Sequence, residues 1–222
     1  MHRARTGINY RAGLASFESS QPMPLVKLIE IMAILVGAFS GFVEARSKKM
    51  DVVGVFTVAF ITAFGGGTLR DILLDQRPLF WVIHQEYAIL IFVLALIATP
   101  LIRTLRRIVS ERLIVVADAL GLGLFSVAGV AAALGAGMPL FIASMMGVIT
   151  GTFGGVLRDI VCNEIPMVLR DGRPYAICAF AGCWVYLLMQ KVGVPPEISL
   201  WSSAFLITLL RLVTWSRDVR LL

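Results

Sequence analysis

The chain has 222 residues, of which 58% are hydrophobic and 15% are charged, and its mean hydropathy is +0.86. Soluble domains are about half apolar and one quarter charged, so this composition excludes an ordinary soluble enzyme or binding domain. The formal charge of +6 comes from basic residues between apolar runs, where they act as membrane-topology signals, and nucleic-acid binding is not expected. The apolar runs span roughly 15–25 residues, enough to cross a hydrocarbon core of about 30 Å, and predict a polytopic all-α membrane protein.

Residues 1–23 contain arginines but lack the short apolar segment and cleavage site of a signal peptide. We interpret them as a disordered tail, or as an extension ahead of a start at Met23. Prolines in the connections and aromatic residues at the interfaces bound the predicted spans, the aromatic markers being Trp81, Tyr87, Tyr175, Trp201 and Trp215. We predict seven membrane spans, at 24–45, 51–74, 86–102, 113–134, 139–162, 175–191 and 199–215.

Basic residues between the spans predict the orientation in the membrane. They collect on one side of the bundle, after the first, third and seventh spans and before the sixth: Arg46, Lys48, Lys49, Arg103, Arg106, Arg107, Arg112, Arg170, Arg173, Arg217 and Arg220. Loops rich in lysine and arginine stay in the cytoplasm. We therefore predict a prokaryotic inner-membrane protein with its N-terminus outside and a cytoplasmic tail at 216–222.

The sequence repeats itself after 88 residues. "FGGGTLRDILLDQRP" at 64–78 aligns without a gap on "TFGGVLRDIVCNEIP" at 152–166. The repeat units are 24–105 and 112–193, and the seventh span lies outside them. Because each unit has three spans, the second must enter the membrane inverted. Inverted repeats with glycine-interrupted spans point to a permeation or substrate site; the alternative is a duplicated bundle whose glycines only allow close packing.

Two glycine clusters and two threonines form the first set of candidate site residues. The glycines lie roughly 21 Å into the second span, short of the far surface, and successive glycines favour a kink that exposes backbone carbonyls. Such carbonyls are tolerated in a membrane where they line a cavity, and they can replace the hydration shell of a cation. The predicted pore and kink residues are Gly65, Gly66, Gly67, Gly154, Gly155, Thr62 and Thr150.

Charged residues inside the spans form the second set. Glu30 and Asp118 occupy equivalent positions in the first and fourth spans, where they could concentrate cations, bind a coupling proton, or simply lie near a helix start. Adjacent helix residues point about 100° apart, so we predict that Arg70 pairs with Asp159 and that Arg158 pairs with Asp71. These four form a structural clamp or a lipid-headgroup contact. The alternatives are arginines that extend to the headgroups, or charges that line the pore.

Other polar and small residues have ordinary interpretations. Cys178 and Cys183 are expected to be small packing residues, and the small-residue face of the sixth span fits a helix contact within the protomer or between subunits. Arg211 is expected to extend to the interface. The sequence has no catalytic motif and no metal-ligand spacing, so we expect neither an enzyme nor a metal site beyond transient K⁺.

With its seven spans, its three-plus-three repeat and the paired "GGGTLRD" and "FGGVLRD" motifs, the sequence resembles the bacterial branch of the trimeric intracellular cation channel family. The domain of that branch also carries the name "glycine transporter". The resemblance covers about residues 24–215. It implies a homotrimer with one pore in each protomer, bounded by the glycine-kinked second and fifth spans, and permeation of K⁺ with Na⁺ permitted. Phe153 departs from the motif, since it stands where the first copy has Gly65.

We therefore predict a K⁺-permeable monovalent cation channel that works among membrane lipids and needs no cofactor, a bound phospholipid being the one candidate. The alternative is a secondary transporter for glycine or another small neutral amino acid, in which Glu30 or Asp118 carries a proton. A third interpretation is a non-conducting protein that orders lipids. The repeat favours the channel and the transporter equally, because both need a central site.

Overall fold

The computed structural model describes residues 24–104, 111–170, 172 and 174–220. The predicted tail at 1–23 lies outside the described residues, as do three of the topology markers, Arg106, Arg107 and Arg173.

Helices make up almost all of this part of the chain. They are α1 (Pro24–Ser47), α2 (Val52–Leu73), α3 (Phe80–Ile83), α4 (Gln85–Thr104), α5 (Glu111–Gly135), α6 (Leu140–Val161), α7 (Tyr175–Lys191) and α8 (Pro196–Ser216). All but α3 coincide with predicted spans to within three residues at either end. The single turn α3 was not predicted. It lies in the connection from α2 to α4 and places Phe80 and Trp81 beside α2.

By length and composition, five helices in the described part of the chain can cross a membrane: Leu25–Ser47, Val52–Leu73, Arg112–Gly135, Leu140–Val161 and Pro196–Ser216. Gln85–Ile97 is a shorter apolar helix. The protein is therefore a polytopic all-α membrane protein. The central helix is α5, which packs against α1, α6, α7 and α8.

The helices α2 and α6 end in the same way, 88 residues apart. After each helix, one non-glycine residue adopts a left-handed backbone: Asp75 has a φ of 52° and Asn163 a φ of 56°. Asn and Asp tolerate this conformation better than other side chains do, because their short polar groups bond locally. Equivalent positions of the sequence repeat thus have the same local backbone conformation.

Glycine brings α2 and α6 into backbone contact. A Cβ atom at Gly66 would overlap the carbonyl oxygen of Thr150, and one at Gly154 would overlap the carbonyl oxygen of Thr62. The later residue of each helix meets the earlier residue of the other, so the two helices cross antiparallel. Both helices are continuous through their glycines. The clusters interrupt neither helix, and the predicted kink stays a prediction.

An exposed ion pair joins two loops on one face of the bundle. Lys48 follows α1, Glu164 follows α6, and the Lys48 ammonium donates to the Glu164 carboxylate. This pairing lowers the pKa of Glu164 and raises the pKa of Lys48. Since the pair lies in water, it contributes little stability. It does show that α1 and α6 end on the same side.

The small-residue face of α7 packs within the protomer. A Cβ atom at Gly182 would overlap the side chain of Ile207 in α8, so the two helices approach closely there. Cys178 and Cys183 are buried free thiols, as expected for packing residues.

Replacing Gly66 by alanine should destabilise the protein by about 1–3 kcal/mol, because the new methyl group has to displace backbone rather than a flexible side chain. Gly67→Ala is the matched control. A Cβ atom there has no heavy atom of the described chain within 4 Å, and alanine favours a helix over glycine by up to about 1 kcal/mol. Thermal unfolding of the two detergent-purified variants, followed by tryptophan fluorescence, measures the change in stability that each substitution causes. Equal midpoints for the two variants would contradict the backbone contact.

Candidate functional site

A buried arginine holds two carboxylates where α2 nears its C-terminal end. Arg70 Nη1 donates to Glu30 Oε1 of α1 at 2.6 Å, and Arg70 Nε donates to Asp71 Oδ1 at 2.9 Å. The other oxygen of Asp71 accepts from the backbone N–H of Phe80 at 3.1 Å. This first cluster therefore joins α1, α2 and the start of α3.

A second cluster repeats this arrangement near the end of α6. Arg158 donates through Nε to Asp159 Oδ1 at 2.9 Å and through Nη1 to Asp118 Oδ1 of α5 at 3.2 Å. Asp159 also accepts from the backbone N–H of Met167 at 2.9 Å. Arg158 has an additional partner in Ser40 of α1, at 2.7 Å. The hydroxyl of Ser40 links the second cluster to the first half of the chain.

The predicted exchange of partners between the repeats, Arg70 with Asp159 and Arg158 with Asp71, is wrong. Arg70 and Arg158 each follow the centre of the α2–α6 crossing by six residues, or about 9 Å at 1.5 Å per residue. Because the helices are antiparallel, the two clusters lie on opposite sides of the crossing. Each arginine instead pairs with the aspartate that follows it in its own helix. The arginine side chain is long enough for Nε and Nη2 to reach Oδ1 of that aspartate.

The clusters lie inside the protein. Arg70 is 5% exposed and Arg158 is 1% exposed, so the alternative in which both arginines extend to the lipid headgroups is wrong. A buried charge is costly unless it is paired and hydrogen-bonded, and both guanidinium groups meet that condition. With two carboxylates to one guanidinium, the first cluster has a formal charge of −1 when all its groups are ionised. The second cluster has the same ratio around Arg158, but another buried guanidinium, that of Arg211, lies close to it.

Tyr175 and Arg211 extend the second cluster. The Tyr175 hydroxyl donates to Asp118 Oδ2 at 2.7 Å, and the Arg211 guanidinium lies 4.5 Å from the centroid of the Tyr175 ring. Both residues are buried, Arg211 being 3% exposed. The expectation that Arg211 extends to the interface is therefore wrong, while Tyr175, the first residue of α7, faces the protein interior. Arg211 Nε and Nη1 have no hydrogen-bond partner among the described residues.

A cavity opens beside the first cluster. Its wall is mostly apolar and rich in aromatic rings. Glu30 and Arg70 lie on the wall at one end, together with Gly67, where a Cβ atom would meet nothing within 4 Å in the described chain. Trp81 and Phe125 close other parts of the wall.

A second cavity adjoins the second cluster. Asp118 and Arg158 line it with the glycines Gly154 and Gly155. A Cβ atom at Gly155 would lie 3.3 Å from Asp118 Oδ1. Each cavity is therefore bounded by one charged cluster and by the last glycine of the adjacent motif.

The two threonines have different positions. Thr62 lines the second cavity, but its hydroxyl donates to the carbonyl of Val58 at 2.7 Å. Thr150 is buried, and its hydroxyl donates to Met146 at 2.7 Å. Gly65 packs against Leu157, since a Cβ atom there would lie 2.8 Å from Leu157 Cδ1. Among the described residues, no group of three or more His, Cys, Asp or Glu side chains could hold a metal ion.

The structure thus brings together the charges, Gly67 and Gly155 that the sequence singled out, while Gly66 and Gly154 form the helix crossing. Sequence reasoning missed Ser40, Phe125 and the roles of Tyr175 and Arg211. Ser40 and Phe125 align on residues of other types, Ala128 and Gly37, and Arg211 lies outside the repeat, so the repeat gave no signal for these three. Tyr175 could have been found as the residue that aligns on Tyr87.

Comparisons with known proteins agree with this architecture. A family model described as "Glycine transporter" matches the chain twice, at 27–103 and at 115–191. The two matches are 88 residues apart (115 − 27 and 191 − 103), the same shift as in the internal repeat. A UPF0126 membrane protein of Vibrio cholerae is 36% identical over 195 residues, covering 88% of this chain and 81% of that protein. The UPF0126 inner membrane protein YadS of Escherichia coli K12 is 36% identical over 188 residues, covering 85% of this chain and 90% of that protein.

Solved structures show the same fold. A crystal structure of the trimeric intracellular cation channel orthologue from Rhodobacter sphaeroides superposes with a TM-score of 0.80 at 31% identity, covering 87% of this chain and 98% of that one. A structure determined to explain conductance through these channels gives a TM-score of 0.77 at 31% identity, covering 88% of this chain and 95% of that one. The chain therefore belongs to the bacterial branch of the trimeric intracellular cation channel family, whose domain model carries the description "Glycine transporter".

Proposed function

We propose that the protein is a monovalent cation channel, permeable to K⁺ and also to Na⁺, with one pore in each protomer. The observation that carries the proposal is the pair of cavities on either side of the α2–α6 crossing, each of which has a buried carboxylate, Glu30 or Asp118, on its wall. A water-filled path through a membrane protein needs such internal polar walls. The similar solved structures are described as cation channels, not enzymes.

The carboxylates Glu30 and Asp118 bias the path toward cations. Each lies at a cavity wall and shares its arginine with a second carboxylate. Low-dielectric walls strengthen the attraction of an acidic cluster for a cation. The arginines prevent either cluster from holding an ion too tightly for conduction, since an ion must also leave.

The glycine motifs shape the pore, and the charged residues brace it. Gly65, Gly66, Gly67, Gly154 and Gly155 allow α2 and α6 to bend around the path, as kinks at glycine do in other helices. Arg70, Asp71, Arg158 and Asp159 act as clamps that hold the helix ends to the neighbouring helices.

The whole assembly is a homotrimer in a bacterial inner membrane, supported by the similarity to trimeric channels and to YadS. The two repeat units, 24–105 and 112–193, are inverted with respect to each other, and the helix at 199–215 lies outside the repeat. The antiparallel crossing of α2 and α6 supports this inversion. The N-terminus lies outside and the C-terminus in the cytoplasm. Phospholipids contact the outer helix surfaces.

A secondary transporter for glycine or another small neutral amino acid is the second candidate, favoured by the description of the matching family model. In that case a half-helix end would bind the carboxylate and ammonium groups of the substrate, and Glu30 or Asp118 would exchange a proton.

Purified protein in liposomes distinguishes the two. A channel lets K⁺ move passively down its gradient and gives unitary currents in planar bilayers, whereas a transporter accumulates labelled glycine in proportion to a proton gradient without unitary currents. We expect K⁺ flux and no coupled glycine uptake. Coupled uptake without conductance would establish the transporter, and the absence of both would favour a protein that orders lipids.

Glu30→Gln should lower the K⁺ flux by roughly two- to tenfold, because removing a charge beside a low-dielectric cavity lowers the local cation concentration. The glutamine carbonyl can still accept from Arg70, so the clamp is kept. Glu197→Gln is the control, since Glu197 is an exposed acid at the start of α8 away from both cavities. Equal fluxes for the two variants would assign Glu30 to a purely structural role.

The proposed orientation predicts the behaviour of reporters fused after residue 222. A fluorescent protein that matures only in the cytoplasm should fluoresce there, and alkaline phosphatase at the same position should be inactive, because basic loops hold this end inside. The opposite pair of results would reverse the orientation.

A further inference from the structure

The two cavities share one wall residue that is an aromatic ring. Phe125 of α5 lines both the first cavity and the second, and it packs against both hydrophobic cores of the protein. Its neighbours along α5 from 121 to 130 are buried, whereas Phe125 itself is partly exposed. Because Phe125 lines both cavities, we attribute this exposure to them. The ring is therefore the wall residue that the two cavities share.

The repeat makes this ring unique. The residue 88 positions earlier is Gly37 of α1, and a Cβ atom at Gly37 would lie 3.3 Å from Phe125 Cε2. That same Cβ would lie 3.2 Å from Ala63 Cα in α2, so the ring reaches the groove between α1 and α2. The second half of the chain therefore supplies the Phe125 ring, and the first half supplies Gly37, which has no side chain and so leaves room for the ring.

The chemistry differs between the ring and its surroundings. Glu30 and Arg70 lie on the wall of one cavity, and Asp118 and Arg158 on that of the other. Charged walls hold water and attract cations, but a phenyl ring offers neither hydrogen bonds nor charge. A constriction of this kind blocks a path by excluding water, and an ion without its hydration water does not cross it.

We propose that the Phe125 ring is the dehydrated barrier between the two halves of a single ion path, and that it controls conductance. This proposal rests on the proposed channel function. It names Phe125 as a residue that contacts the ion path directly. The glycine crossing of α2 and α6 sets the width of the path, while the ring determines whether water is continuous through it.

Single-residue variants in planar bilayers and K⁺-loaded liposomes test the proposal. Phe125→Ala should raise the K⁺ flux on the order of tenfold, the change that about 1.4 kcal/mol at the barrier produces. Flux should rise in the order Trp, Phe, Leu, Ala at position 125, because the barrier follows the apolar volume that fills the constriction. Where the alanine variant does not fold, Phe125→Leu against Phe125→Trp gives the same comparison.

The controls separate a widened path from a damaged protein. Phe205→Ala removes an equally large ring from the exposed surface of α8 and should conduct as the wild type does. In a KCl gradient, the reversal potential of Phe125→Ala should stay cation-selective, since the carboxylates on both sides remain. A non-selective leak would show structural damage and contradict the proposal.

The outcomes also separate this inference from the proposed function. A wild type that conducts K⁺ together with a Phe125→Ala variant of equal flux overturns the barrier and leaves the channel intact. A silent wild type with a conducting Phe125→Ala supports both. If the wild type and every variant at position 125 are silent, both are overturned.

Discussion

The backbone contact between α2 and α6 is the constraint on which the rest of the structure depends. The backbones of two helices can touch only where no side chain lies between them. Gly66 and Gly154 have no side chain, so each can contact a carbonyl oxygen of the other helix. The contact is antiparallel, so each helix carries its arginine to the opposite side of the crossing. The positions of both charged clusters, and of the cavities beside them, follow from this geometry.

The electrostatics of the clusters are consistent with a membrane environment. A guanidinium in hydrocarbon needs a counter-charge and hydrogen-bond acceptors, and each arginine obtains both from its own helix and from neighbouring helices: α1 for Arg70, and α5 and α1 for Arg158. In the first cluster the second carboxylate leaves a formal negative charge, whereas in the second cluster the nearby Arg211 offsets it. Such an excess costs desolvation energy, and a protein that permeates cations has a use for it.

The two halves of the chain differ most where the repeat fails. Ser40 and Phe125 align on residues of other types, Ala128 and Gly37, and Arg211 lies in α8 outside the repeat, whereas Tyr175 aligns on a residue of the same type, Tyr87. Ser40 and Phe125 join the halves, while Tyr175 and Arg211 act on the second cluster alone. A symmetrical duplication therefore provides the frame, and single-copy residues complete its centre. Such residues give no periodic signal, so sequence reasoning cannot recognise them as part of a site.

The helices, their order and the repeat were determined by the sequence itself, because apolar length, proline punctuation and an ungapped 88-residue shift are local or linear properties. The same holds for the identity of the buried charges, such as Glu30 and Arg158. Their partners were decided only by the tertiary structure: the predicted exchange between Arg70 and Asp159 fails because an antiparallel crossing separates them. The tertiary structure likewise decided that Arg211 is buried and that Phe125 lines both cavities, since both depend on which helices surround α5 and α8.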